Sequence, residues 1–156
     1  TDGMEALLRN PDERRKLQAN PGLVPTAVEE MLRWVSPIKN MNLTATRDGV
    51  LAGQRIREGE KVLLLYPSAN RDQRAFREAD RFHVDREPND HVAFGHGVHF
   101  CLGASLARLE LRVMFETLLA RLPDLELATD GPLRLRPSNF IVGIEEMPVV
   151  FTPRAA

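Results

Sequence analysis

The chain reads as mainly α with small β-sheets, an α+β protein, on three observations. Apolar residues recur at helical spacing in four segments, the longest running from about Leu102 to Leu122. Between roughly residues 38 and 66 the pattern shortens and becomes β-like, with Gly49, Gly53 and Gly59 at turn positions. Residues 67 to 100 form an irregular stretch rich in Asn, Asp, Arg and Gly. It is longer than structureless loops usually are, which marks a segment ordered around a function or a ligand.

Taken in order, Met4, Leu7 and Leu8 place the first residues on a helix. Asn10, Pro11, Asp12 and Glu13 supply the cap, first-turn proline and acidic first turn of a second, which Asn20-Pro21-Gly22 ends. Pro25 opens a third helix, whose apolar positions Val24, Val28, Met31, Leu32 and Val35 run to Ser36-Pro37. On the long helix, Ser105, Arg108, Arg112 and Glu116 form one narrow polar stripe and nearly everything else is apolar. A helix wet along a single stripe is expected to be buried in a large core. The other elements of the chain are too few and too short to cover it, so the chain reads as part of something larger.

Composition narrows the function classes. The chain has 156 residues, 43% of them hydrophobic, and 21 basic against 22 acidic residues, for a net charge of −1. That is the balance of a soluble globular protein, with no basic field for nucleic acid. Eighteen of the basic residues are Arg, the better side chain for fixed ion pairs. The single cysteine, Cys101, excludes an internal disulfide and favours a reducing, cytoplasmic setting. The run from Val62 to Tyr66 is too short to span a bilayer, and the first residues resemble neither a signal peptide nor a natural start.

Chemistry concentrates in the stretch from Phe94 to Gly103. Gly95, Gly97 and Gly103 lack dinucleotide-loop spacing. His96, His99 and Cys101 offer zinc ligands, but no second Cys or His pair sits at the usual distance. An inert, packed thiol is the bland alternative. A fourth reading starts from the position of Cys101 at the mouth of the long helix, where free N–H groups and the helix dipole favour a thiolate. The preceding glycines permit a tight turn, Gly103 leaves room for a flat group against the backbone, and Phe94 is placed to pack beside it. These features suit axial ligation of a haem iron.

The run Phe94-Gly-x-Gly-x-His99-x-Cys101-Leu-Gly103-x-x-Leu106-Ala107-Arg108-x-Glu110 resembles the haem-ligand signature of the cytochrome P-450 superfamily at every fixed position. The resemblance implies that Cys101 is the proximal thiolate of haem b (iron protoporphyrin IX). It makes Phe94, Gly95, Gly97, His99 and Gly103 the cofactor-binding loop, with His99 donating to a propionate. Glu30-Met31-Leu32-Arg33 matches the family's Glu-x-x-Arg, whose third partner is an Arg in the meander before the Cys loop; Arg81 is the matching candidate. Glu30 shares a flank with Ala27, Met31 and Trp34, which argues that the pair is buried and structural.

By the same resemblance residues 1–156 are the C-terminal haem-ligand part of a single P-450 domain, with the central oxygen-activating helix and its acid–alcohol pair upstream. Ile38 and Met41, just past the Glu-x-x-Arg helix, and Phe140 and Ile141 at the tip of a C-terminal hairpin are expected to wall the substrate pocket, against ordinary core packing as the alternative. The phrasing is closest to actinobacterial hydroxylases of sterol or branched-lipid side chains. The implied activity inserts one oxygen atom from O2 into a C–H bond of a lipophilic substrate, in a monomer fed by a ferredoxin or flavoprotein. Arg112, with Arg108, is the candidate for docking an acidic donor, against plain helix solvation. The rival readings are a haem-thiolate protein without oxygenase activity, and an inactive fragment. One departure stands out: Leu43 occupies a position where relatives carry a propionate-pairing Arg. Either haem affinity or potential is altered, or Arg47 compensates.

Overall fold

Residues 1–153 are described in the computed structural model. Three helices come first: α1 (Asp2–Arg9), α2 (Pro11–Ala19) and α3 (Val24–Val35), the last two joined by a 3-10 turn at Pro21–Leu23. Proline stands in the first turn of α2 and of α3, where its missing N–H is not needed. The expected capping role of Asn10 is different in detail. Its Nδ2 donates backward to the Ala6 carbonyl at 2.8 Å, closing the end of α1 rather than the start of α2. At the C-terminus of α3, Ser36 adopts a left-handed φ of 45°, and its N–H reaches the Leu32 carbonyl.

The β region consists of two hairpin-like pairs. Strand β1 (Asn40–Thr44) runs antiparallel to β4 (Lys61–Leu65), with Asn40 opposite Leu65 and Thr44 opposite Lys61. Between them β2 (Gly49–Leu51) pairs with β3 (Gln54–Ile56) through Ala52 and Gly53, both at positive φ, as a tight hairpin requires. After β4 come a single-turn helix, α4 (Tyr66–Ala69), a long meander and α5 (Ala104–Arg121). Strands β5 (Glu126–Leu127) and β6 (Val149–Val150) pair near the end, and between them an extended hairpin bridges Leu135 to Ile144.

The core lies where α1, α2 and α3 meet one side of α5. Leu7, Leu17, Val24, Ala27 and Val28 pack there with Phe82, Val84, Phe115 and Leu125. Among the described residues α5 is only partly covered: Ala104 and Phe115 are buried, while Leu106, Leu109 and Val113 are exposed. A single layer of helices covers only one side of it. Leu102, just ahead of the helix, is fully exposed as well. Apolar exposure on this scale accords with the expectation that these elements are too few to cover α5. None of the described helices is long and apolar enough to cross a membrane.

The meander, which has little regular structure, is held by charge. Glu30 and Arg33, side by side on α3, are both fully buried. Arg33 spends all five donors: Nε and Nη2 on the Glu30 carboxylate at 2.7 and 2.8 Å, and the remainder on the carbonyls of Asn70, Ala79 and Arg81. Glu30 in turn accepts from the His83 N–H, from Arg86 Nε at 3.0 Å and from Asn89. The expected third partner, Arg81, is corrected here. Its side chain projects into solvent and pairs with Glu78, and only its carbonyl enters the network. Arg86 is the meander arginine that reaches Glu30, and it also ties together the carbonyls of Arg77, Glu78 and Arg81. The turn of chain at Phe82–Val84, whose apolar residues are buried, points Arg81 outward and brings Arg86 back in.

Without Arg86, Glu30 keeps Arg33 but loses one charge-assisted hydrogen bond. Arg86→Ala is expected to lower unfolding free energy by about 2 kcal/mol, whereas Arg81→Ala stays within about 0.5 kcal/mol of wild type. Urea denaturation of the two variants side by side checks this, and equal losses would restore Arg81 as the partner.

Candidate functional site

The loop from Phe94 to Gly103 leaves the core at Ala93 and returns to it at Ala104, both buried. Two glycines shape it: Gly95 at φ 76° and Gly97 at φ 69°, a region side chains with a Cβ rarely adopt. A single 3-10 turn, Gly97–His99, follows. The loop closes on itself through the Phe100 N–H to the Gly97 carbonyl at 3.0 Å and the Cys101 N–H to the Phe94 carbonyl at 2.9 Å. The Cys101 thiol is exposed, not packed, among the described residues. Helix α5 begins three residues later, at Ala104, rather than at about Leu102. A Cβ added to Gly103 would sit 4.0 Å from the cysteine sulfur, so glycine keeps the approach beside it open.

Next to this loop lies a cavity of about 610 Å³, walled by Met41, Asn42, Leu43, Leu64, Leu65 and Tyr66, and by Ala69, Val92, Gly95, His96 and His99. Its walls are mostly apolar, with two imidazoles, a phenol and an asparagine amide as polar groups. Of the expected pocket residues, Met41 is a wall of this cavity. Ile38, Phe140 and Ile141 gather in the adjoining seam instead. There Ile38 bridges Ile141, the Lys39 N–H donates to the Phe140 carbonyl at 2.8 Å, and Ser138 Oγ accepts the N–H groups of Phe140 and Ile141. Leu43 is a wall of this cavity.

A flat apolar macrocycle with acidic edges fits these residues. The exposed sulfur, the glycine at 103 and the outward-facing Val98, Phe100 and Leu102 offer an apolar platform, and His99 and His96 offer donors at the cavity.

The frame behind the loop contains residues the sequence did not single out. Asn70 is fully buried: its Oδ1 accepts the Val92 N–H, its Nδ2 donates to Ser36 Oγ and its carbonyl accepts from Arg33. Glu29 accepts both Nε and Nη2 of Arg108, at 2.7 and 2.8 Å, and meets His91 Nε2 at 3.1 Å. Arg108 also lies over the Phe94 ring, 4.7 Å from its centroid. Arg108 is therefore engaged within the protein, and the polar stripe of α5 leaves Arg112, loosely paired with Glu116, to face solvent. Burial alone would raise the Glu29 carboxyl, but the hydrogen bonds from His91 and Arg108 and the Arg108 charge outweigh it and hold the group at about 2.

The family model described as Cytochrome P450 matches residues 11–146. The chain belongs to the cytochrome P450 family. It is 58% identical over 153 residues to the steroid C26-monooxygenase of Mycolicibacterium smegmatis, covering 98% of this chain and 38% of that protein. It is 47% identical over 154 residues to the methyl-branched lipid omega-hydroxylase of Mycobacterium bovis, covering 97% of this chain and 36% of that protein. Among solved structures, P450BioI in complex with hexadec-9Z-enoic acid ligated acyl carrier protein superposes with a TM-score of 0.93 at 45% identity, over 97% of this chain and 39% of that one. The chain thus spans under two-fifths of the length of these relatives, and its helices and small sheets are part of the P450 fold. Members of this P450 family carry a haem.

Because the Glu29 carboxyl is held below its ordinary 4.5, it stabilises the fold above about pH 4.5, and that contribution fades as pH falls toward about 2. Unfolding of wild type and Glu29→Gln across this window should show a stability gap that is full at neutral pH and closes in acid. A gap that stays constant with pH would show that the carboxyl has the same pKa in the folded and unfolded chain.

Proposed function

We propose that this chain is the C-terminal, haem-ligand part of a single P450 domain whose parent protein inserts one oxygen atom from O2 into a C–H bond of a lipophilic substrate. The observation that carries this reading is the exposed Cys101 thiol, set beside an open apolar surface by a loop turned through two positive-φ glycines. Cys101, with Phe94, Gly95, Gly97, His99 and Gly103 around it, would hold haem b, which when bound would supply the O2 activation that the reaction needs. The balance requires two electrons and two protons: one oxygen enters the C–H bond and the other leaves as water.

The chain's own residues then have distinct tasks. Cys101 binds as the thiolate, and the Phe94–Cys101 backbone bond fixes where the sulfur stands. Gly95 and Gly97 permit the turn, Gly103 keeps space beside the sulfur, and Phe94 braces the loop from behind. His99, as a cavity wall, donates to a carboxylate edge of the macrocycle. Met41 and the seam of Ile38, Phe140 and Ile141 form part of the substrate wall. Glu30, Arg33 and Arg86 hold the meander and make or break no bonds in the reaction.

A sterol or branched-lipid side chain suits that apolar wall, and the two curated relatives are named for a steroid and a methyl-branched lipid. A ferredoxin or flavoprotein in the cytoplasm supplies the electrons, with Arg112 on the solvent side of α5 as a contact for an acidic donor.

The test is the ferrous carbon monoxide spectrum of the full-length protein. A red-shifted band requires a thiolate ligand, and both Cys101→Ala and Cys101→His are expected to abolish it. Survival of the band in either variant would assign the ligand elsewhere, and its absence from wild type would defeat the reading. His99→Ala should keep the band yet release haem to a scavenging apoprotein roughly tenfold faster, the effect of losing one charge-assisted hydrogen bond.

A further inference from the structure

The loop that carries Cys101 has little of its own to hold it. Residues 96 to 103 are exposed, two of the glycines adopt positive φ, and the internal bonds are a few backbone contacts. Yet both arms of the loop converge on one carboxylate outside it. On the entering arm, His91 presents Nε2 to Glu29 Oε2 at 3.1 Å, and the ring is almost fully buried. Its Nδ1 accepts the Ala93 N–H, so the proton belongs on Nε2 and the imidazole donates to Glu29. On the leaving arm, one helical stretch past Cys101, Arg108 grips the same carboxylate with two parallel bonds. The guanidinium carbon then stands over the Phe94 ring, 4.7 Å from its centroid, and Phe94 is the residue whose carbonyl receives the Cys101 N–H.

Glu29 itself sits on α3 beside Glu30, so it is mounted on the element the buried ion pair makes rigid. From this convergence we propose that Glu29 is a positioning residue for the thiolate: by holding His91 and Arg108 together it fixes the two arms of the Cys101 loop at one separation and sets the direction of the sulfur. The inference rests on Cys101 being the axial ligand, and it adds a residue that touches neither the macrocycle nor the substrate. It gives Arg108 an internal task, distinct from that of Arg112.

The test uses the full-length holoprotein with Glu29→Gln, which keeps shape and removes charge, and Arg108→Lys, which keeps charge and removes the paired bonds and the flat stacking surface. Two quantities are read: the rate at which the red-shifted ferrous carbon monoxide band is lost in mild denaturant, and amide exchange of residues 94 to 104 compared with α2. Glu29→Gln should lose the band roughly tenfold faster and speed exchange in the loop while α2 is unchanged. Arg108→Lys should fall between it and wild type, and the double variant should be no worse than Glu29→Gln. Unchanged band loss, or an exchange increase shared equally by α2, overturns the inference, since the second result is that of a merely structural contact. A wild-type protein without the red-shifted band overturns the ligand assignment itself and the inference with it; a wild-type band with unaltered variants overturns the inference alone.

Discussion

Two opposite charges carried into the interior by α3 organise this part of the molecule. An ion pair with no exposed surface is tolerated only if every remaining donor and acceptor finds a partner, because desolvation of each ion otherwise exceeds their mutual attraction. Glu30 and Arg33 meet that condition by recruiting the meander. Carbonyls of Asn70, Ala79 and Arg81, the His83 N–H and the side chains of Arg86 and Asn89 all converge on them. A segment too rich in polar residues to build its own core is thereby given one conformation. The pair acts less as a source of net stability than as a template on which irregular backbone is ordered.

The same helix serves the cysteine loop from its neighbouring position. Glu29 reaches toward His91 and Arg108 while Glu30 turns inward, so adjacent residues on α3 hold successive parts of the chain: the meander first, then the loop that follows it. Asn70 joins the two systems, accepting the Val92 N–H on one side and offering its carbonyl to Arg33 on the other. The site is therefore an exposed, glycine-turned loop on a buried polar frame, in which Glu30 and Arg33 are fully partnered while His83 Nε2 and Asn89 Oδ1 are left without a hydrogen bond. That arrangement leaves the Cys101 sulfur accessible while contacts from α3 and α5 hold the two ends of its loop.

Apolar surface tells the complementary half of the story. Leu102, Leu106, Leu109 and Val113 along α5, and Met41, Leu43, Leu63 and Leu65 on the β1–β4 pair, face outward. The chain matches under two-fifths of its relatives' length, while superposing closely over the portion it shares. The polar interior of α3 is self-sufficient, and the apolar faces on either side of the cysteine loop are not.

Much was legible from the residues alone. Helical spacing and proline placement marked α1, α2, α3 and α5, because those signals are local and repeat every turn. The stretch from Phe94 to Glu110 marked the loop through its resemblance to the family's cysteine signature. The pair of Glu30 and Arg33 was marked by its match to the family's Glu-x-x-Arg, and its burial by the flank Glu30 shares with Ala27, Met31 and Trp34. What the sequence left undecided all depends on where an irregular chain turns. Arg81 and Arg86 are both arginines of one meander, and only the buried turn at Phe82–Val84 decides which of them points inward. Glu29, His91 and Arg108 are scattered over some eighty positions with no shared period, so their meeting exists only once α3, the meander and α5 are packed. Periodicity encodes which face of an element is buried; it cannot encode which distant partner that face will meet, because that is set by the path of the backbone between them.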